Sequence, residues 1–112
     1  MKLIQSRDNA FFKSLKRLAE SGRERRKTGQ TLLDGVHLVE AYEAVFGFVE
    51  TLVVTESALN GGEIAAFVEN RETVVLTDSL MRDLALVDTP SGLLAVVKMP
   101  IATVRVNREP DA

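Results

Sequence analysis

The feature that most constrains what this chain can fold into is a regular alternation of short, continuous apolar runs with stretches of helical period. Runs at Gln30–Asp34, at Phe48–Thr55 centred on Leu52–Val53–Val54, at Thr73–Leu76 and at Leu93–Val97 have strand length and lie between turn residues. Strands that alternate with helices pair in parallel through right-handed crossovers. Runs that are apolar throughout, rather than at every second residue, are expected where helices cover both faces of a sheet. The predicted architecture is therefore α/β, a small three-layer α/β/α sandwich with a mainly parallel sheet.

The helices follow from the same pattern. Ser6 is a capping residue, with Asp8 and Asn9 favourable near a helix's positive end, and Phe11, Leu15, Leu18 and Ala19 recur at helical spacing behind it. Gly22 interrupts this stripe, and a charged stretch from Arg23 to Lys27 ends at Gly29. Val36 to Phe46 reads as a second helix with Leu38, Tyr42 and Val45 on one face, closed by Gly47. Glu56 to Asn70 is helical but broken at Asn60–Gly61–Gly62. Thr77 or Asp78 caps a short helix carrying Leu80, Met81, Leu84 and Ala85, and Thr89–Pro90–Ser91–Gly92 makes a turn. From Met99 the texture turns polar. Residues 1–98 are expected to form one domain, and 99–112 a tail or a linker toward a further domain.

Composition excludes several function classes. With 112 residues, 46% hydrophobic and 27% charged, the chain reads as one globular domain. Its lack of cysteine rules out disulfides, thiol nucleophiles and thiolate metal sites, and its single histidine rules out a multi-histidine metal site. There is no apolar run of membrane-spanning length and no secretory signal, so no membrane partner and a cytoplasmic location are expected. Gly-rich phosphate loops, dinucleotide fingerprints and nucleophile elbows are missing too, and neither a catalytic residue nor a metal is expected. His37 sits one turn into a helix, beside the strand end at Asp34–Gly35, and is read as a structural or binding residue.

The charge map is more informative than its sum of −2. Residues 1–30 carry nine basic groups and three acidic ones, for +6; residues 31–112 carry five and thirteen, for −8. A cationic N-terminal segment on an otherwise acidic chain suggests contact with a polyanion. Lys13, Lys16 and Arg17 lie off the apolar stripe of the first helix, and Arg23, Arg25, Arg26 and Lys27 continue them toward a phosphate backbone. The alternative for this helix is a solvated face with ion pairs such as Arg17 with Glu20.

These residues also carry a family likeness. Ser6–Arg7–x–Asn9–x–x–x–Lys13, then Arg26–Lys27–Thr28–Gly29–x–Thr31–Leu32–Leu33–Asp34–Gly35–x–His37–Leu38–Val39–x–Ala41, then Thr89–Pro90–Ser91–Gly92 before an apolar strand, resemble the N-terminal substrate-binding domain of the SpoU (TrmH-type) RNA 2′-O-ribose methyltransferases. The resemblance spans residues 4 to about 98. Asp34 stands where the family often has Glu, and Ser91 where it often has Gln.

The resemblance implies the fold of the small ribosomal proteins that bind kinked RNA. It also implies a domain that binds structured RNA, ribosomal by preference, and presents it to a following catalytic domain. That catalytic domain would bind S-adenosylmethionine and form a homodimer. No cofactor is expected in this chain, and the family's catalytic motifs are not found in it. The RNA-contacting residues so implied are Gly35, His37, Thr89, Ser91 and Gly92, flanked by Arg7, Asn9, Lys13 and the run Arg23, Arg25, Arg26 and Lys27. A stand-alone RNA-binding protein of the ribosomal type and a protein-interaction module, using the acidic segment after residue 30, are the competing readings.

Overall fold

The computed structural model describes residues 2–84 and 90–99. Ala85, Thr89 and the tail from residue 100 onward lie outside the described residues.

Five strands form one sheet: β1 (Lys2–Ile4), β2 (Gln30–Asp34), β3 (Thr51–Thr55), β4 (Thr73–Leu76) and β5 (Leu93–Lys98). Their order across the sheet is β1-β4-β3-β5-β2. The helices are α1 (Ala10–Glu20), α2 (Gly22–Thr28), α3 (Val36–Phe46), α4 (Glu63–Val68) and α5 (Asp78–Leu84), with a 3-10 turn at Ser57–Asn60. One apolar layer packs α1 and α5, through Phe12, Leu15, Leu18, Leu80 and Leu84, against Leu32, Val53, Leu76 and Leu94. The other packs α3 and α4, through Val36, Val39 and Val68, against Leu52, Val54, Val75 and Leu93. Neighbours in β3 alternate between the two layers, so both sheet faces are covered and the sandwich has three layers.

The sheet is mixed rather than mainly parallel. β1 pairs with β4 and β4 with β3 in parallel, whereas β5 is antiparallel to both β3 and β2. An apolar run buried on both faces reads alike in either direction, so sequence pattern does not encode the direction of β5. Local polar bonds do. The Gly92 carbonyl accepts the Thr55 N–H at 3.0 Å, and the Ser91 N–H donates to Asp34 at 3.3 Å. Both fasten the start of β5 to the edge where β3 and β2 end.

Other differences are local. β1, a three-residue strand at the sheet margin, carries too little pattern to be read. Asn9 rather than Ser6 caps α1, taking the Phe12 N–H at 3.0 Å on its side-chain oxygen. Phe12 is therefore fully buried and Phe11 only half-buried. The charged stretch after Gly22 is itself a helix, capped by the Ser21 hydroxyl on the Glu24 N–H at 3.0 Å. The expected Arg17–Glu20 pair is replaced by Lys16–Glu20 at 2.9 Å, at the better helical spacing, and by Arg17–Glu24 at 4.0 Å. On α3, Leu38 and Val45 face outward, and the inward positions are Val36 and Val39.

Candidate nucleic-acid interface

Because β1 to β4 run the same way and β5 runs against them, the ends of β2, β3 and β4 and the start of β5 share one edge of the sheet. An open cleft of about 770 Å³ lies along that edge. Its walls are the β2–α3 corner (Asp34, Gly35, His37), the 3-10 turn after β3, the start of α5 and the turn Pro90–Gly92.

Two glycines shape the cleft. Gly35 has φ +105° and Gly92 has φ +103°, both in the region that disfavours side chains. A Cβ on Gly92 would also stand 3.2 Å from Ala58 Cβ and from Thr55 Oγ1, so the backbone approach there requires glycine. Asp34 ties the two corners together through the Ser91 N–H, and its second carboxylate oxygen is buried without a hydrogen-bond partner among the described residues. Opposite, Thr55 Oγ1 accepts the Ala58 N–H at 3.2 Å, and Ser57 donates to Asp78 at 3.0 Å, joining the end of β3 to the start of α5.

The first turn of α3 opens into this cleft, and no side chain caps it. Uncapped N–H groups at a positive helix end receive anions. His37, one residue into that turn, has a side chain 88% exposed. Its ring nitrogens lie 3.8 Å from Glu40 and 3.9 Å from Glu63, too far for hydrogen bonds. Arg82 of α5 adds a cation to the wall, while Asp34, Glu63 and Asp78 add carboxylates. The cleft thus offers N–H donors and one fixed cation, Arg82, beside three carboxylates, and suits polar, directional contacts better than a purely electrostatic grip.

The predicted site residues divide into three groups. Gly35, His37, Ser91 and Gly92 come together at the cleft, and Thr89 lies outside the described residues. Arg7 follows β1, farther along the same edge, and pairs with Asp83 of α5. The hydrogen bond and charge of Asp83 raise the Arg7 guanidinium above its already high value, and Arg7 lowers the Asp83 carboxyl, chiefly through the same bond. Lys13 and Lys16 line a shallow depression beside that pair, and Lys16 also donates to the Asp83 carbonyl at 2.8 Å. Asn9 is engaged as a helix cap.

The run from Arg23 to Lys27 lies elsewhere. α2 ends just before β2 begins, whereas the cleft lies where β2 ends, a strand length of about 13 Å away. Arg25 turns back onto α1, donating to the Leu18 carbonyl at 2.6 Å and to the Ala19 carbonyl at 3.4 Å. Arg23, Arg26 and Lys27 are exposed and form no ion pair among the described residues. Sequence reasoning left out Ser57, Glu63 and Arg82 from the cleft. Ser57 follows a strand end, a placement with some signal, but nothing in the sequence marks Glu63 or Arg82.

Solved structures share this fold. An rRNA methyltransferase from Sinorhizobium meliloti superposes with a TM-score of 0.65 at 18% identity, over 88% of this chain and 37% of its own. The SpoU methyltransferase AviRb from Streptomyces viridochromogenes gives 0.64 at 23% identity, over 82% of this chain and 34% of its own. An RNA 2′-O ribose methyltransferase gives 0.65 at 24% identity, over 88% and 38%. The chain thus spans little more than a third of the length of these proteins. No curated protein matches it. A family model described as the MRM3-like substrate binding domain matches residues 9–95, from the α1 cap through the first half of β5. On that match, the chain belongs to the MRM3-like substrate binding domain family.

Proposed function

We propose that this domain binds structured RNA, ribosomal by preference, at the strand-end cleft and presents it to the catalytic domain of an S-adenosylmethionine-dependent RNA 2′-O-ribose methyltransferase. Residues 1–98 act as the substrate-binding unit, and 99–112 lead toward the catalytic one. The observation that carries this reading is the uncapped first turn of α3, which opens between Gly35 and Gly92 in a domain of a substrate-binding family. RNA phosphates meet the N–H groups of that turn, while His37 and Ser91 reach sugar or base edges. Arg82 supplies a cation in the cleft wall, and Lys13 lies in the separate depression beside Arg7 and Asp83.

S-adenosylmethionine belongs to the catalytic domain on this reading. Two of the structural relatives hold it. Among the described residues the only aromatic ring lining the open cleft is the exposed His37 imidazole.

The test is an anisotropy titration with labelled ribosomal RNA fragments at several salt concentrations. Two variants separate the sheet edges: His37→Ala/Arg82→Glu for the cleft, and Arg23→Glu/Arg26→Glu/Lys27→Glu for α2. Arg25 is left in place because it holds the end of α1. Loss of affinity in the cleft variant, with a salt slope reduced by roughly 0.7–0.9 per lost phosphate contact, supports the cleft. Full affinity in that variant, with loss in the α2 variant, would move the RNA surface to the opposite edge.

A further inference from the structure

The two sides of the sandwich carry opposite charge. The segment from Arg7 to Thr28, which forms α1 and its continuation α2, has eight basic and three acidic residues. The segment from Val36 to Glu72, which forms α3, β3 and α4, has seven glutamates against one arginine, and that arginine, Arg71, is paired with Glu43. α5 adds little to the α1 side, with Arg82 against Asp78 and Asp83. With layers roughly 10 Å apart, helices on opposite sides stand farther from each other than a Debye length of about 8–10 Å, so each side presents its own charge.

Resting on the reading that RNA occupies the cleft, we infer that the RNA leaves it over α1 and α2, which hold the phosphate backbone of a double-stranded stem. β1 ends at the cleft edge of the sheet and β2 begins at the opposite edge, so the helices between them run from one edge to the other. Lys13 and Arg17 are exposed one turn apart on α1, and Arg23, Arg26 and Lys27 are exposed on α2. Among the described residues the one ion pair these five make is Arg17–Glu24, at 4.0 Å. α5 packs beside α1 and places Arg82 in the cleft wall, so it joins the two surfaces. The way out over α3 and α4 meets Glu40 and Glu63 beside His37, and repels a phosphate backbone. α1 is about 16 Å long, the length of roughly five base-pair steps. A stem fits this surface better than a single strand, because single-strand platforms stack bases on exposed aromatic rings. On α1, Phe12 is buried and Phe11 half-buried, whereas the exposed Phe46 and Phe48 belong to the acidic segment. Double-stranded RNA is held instead through its phosphates and sugars.

Anisotropy titrations compare three labelled RNAs with one loop in common: a stem of about four base pairs, a stem of about twelve, and the short stem extended by unpaired nucleotides to the same length. The long stem should bind the wild-type domain about tenfold more tightly than the other two. Arg17→Gln/Arg26→Gln/Lys27→Gln, at exposed positions, should remove that gain and flatten the long-stem salt slope by about 2–3. Its thermal melt and its short-stem affinity should stay at the wild-type values. Adding Glu69→Lys/Glu72→Lys to this variant more than restores the net charge from the acidic side, and should not restore long-stem affinity. Recovery there would reduce the effect to net charge and overturn the inference. A triple variant that binds the long stem as tightly as wild type, while His37→Ala/Arg82→Glu loses affinity for every RNA, overturns the inference and leaves the cleft reading standing. Full affinity in His37→Ala/Arg82→Glu overturns the cleft reading, and the path out of the cleft with it. An equal gain from the unpaired extension overturns the assignment to a duplex.

Discussion

Replacing Arg71 by methionine should destabilise the domain by about 2–3 kcal/mol at pH 7 and by clearly less at pH 4. Arg71 sits between α4 and β4 and reaches across to Glu43 of α3 with a two-pronged contact, at 2.5 Å and 3.3 Å. Glu43 also takes the Val49 N–H at 2.9 Å, and the guanidinium lies over the Phe48 and Phe67 rings at 5.1 Å and 4.8 Å. The two side chains are only 9% and 21% exposed, so methionine would strand a largely buried carboxylate with one donor left. Breaking a fully buried pair costs about 3–5 kcal/mol, and the residual exposure here lowers that figure.

The pH dependence follows from Glu43. Burial pushes its carboxyl up, but the Arg71 hydrogen bonds, the Val49 N–H and the guanidinium charge outweigh burial and hold it below the ordinary value of 4.5. A depressed folded-state value gives stability that is present above the unfolded value and lost as pH falls through the folded one. In Arg71→Met burial dominates and the carboxyl rises, so the penalty exists at neutral pH and fades as Glu43 protonates. The assay is urea denaturation followed by far-ultraviolet circular dichroism, since the chain has no tryptophan. With a slope of roughly 1.5 kcal/mol/M, the midpoint should fall by about 1.5 M at pH 7. Adding Glu43→Gln should recover part of the loss. A loss below 1 kcal/mol, or one equal at pH 7 and pH 4, would refute the buried-carboxylate argument.

Three further outcomes are expected. Asn9→Ala should cost about 1 kcal/mol in the same melts through loss of the α1 cap, and leave RNA affinity unchanged once the protein is folded. Arg25→Ala should cost about 1 kcal/mol by freeing the Leu18 and Ala19 carbonyls, again with no effect on the salt slope of RNA binding. Gly92→Ala should cost about 2 kcal/mol, because its φ of +103° and its contacts with Ala58 and Thr55 leave no room for a methyl group. Two-dimensional NMR spectra of that last variant should show the change confined to the cleft.

Sequence pattern carried much of this structure. β2, α3 and β4 begin and end at the expected residues, and each is bounded by a polar residue or a glycine whose backbone role is local. The family likeness likewise rested on short motifs, and Gly35, His37, Ser91 and Gly92 from those motifs meet at one edge. Charge counting was less discriminating. It treated Arg23, Arg25, Arg26 and Lys27 as one surface, whereas Arg25 is bound to carbonyls seven and six residues earlier, and the rest stand a strand length from the cleft. Apolar period on α3 also misled. Leu38, Tyr42 and Val45 have helical spacing, but so do Val36 and Val39, and periodicity cannot choose between two apolar faces.

The sequence by itself determined the alternation of strands and helices, the three layers and the identity of the corner residues, because each depends on neighbours within a few positions. Tertiary structure alone decided the direction of β5, the separation of the basic helix from the cleft and the exposure of the outer face of α3. Each of these depends on which distant groups meet: Thr55 with Gly92, Asp34 with Ser91, and α3 with a sheet that has room for only one of its faces. Short-range pattern specifies elements, whereas contacts between residues far apart in the chain specify which surfaces remain to bind.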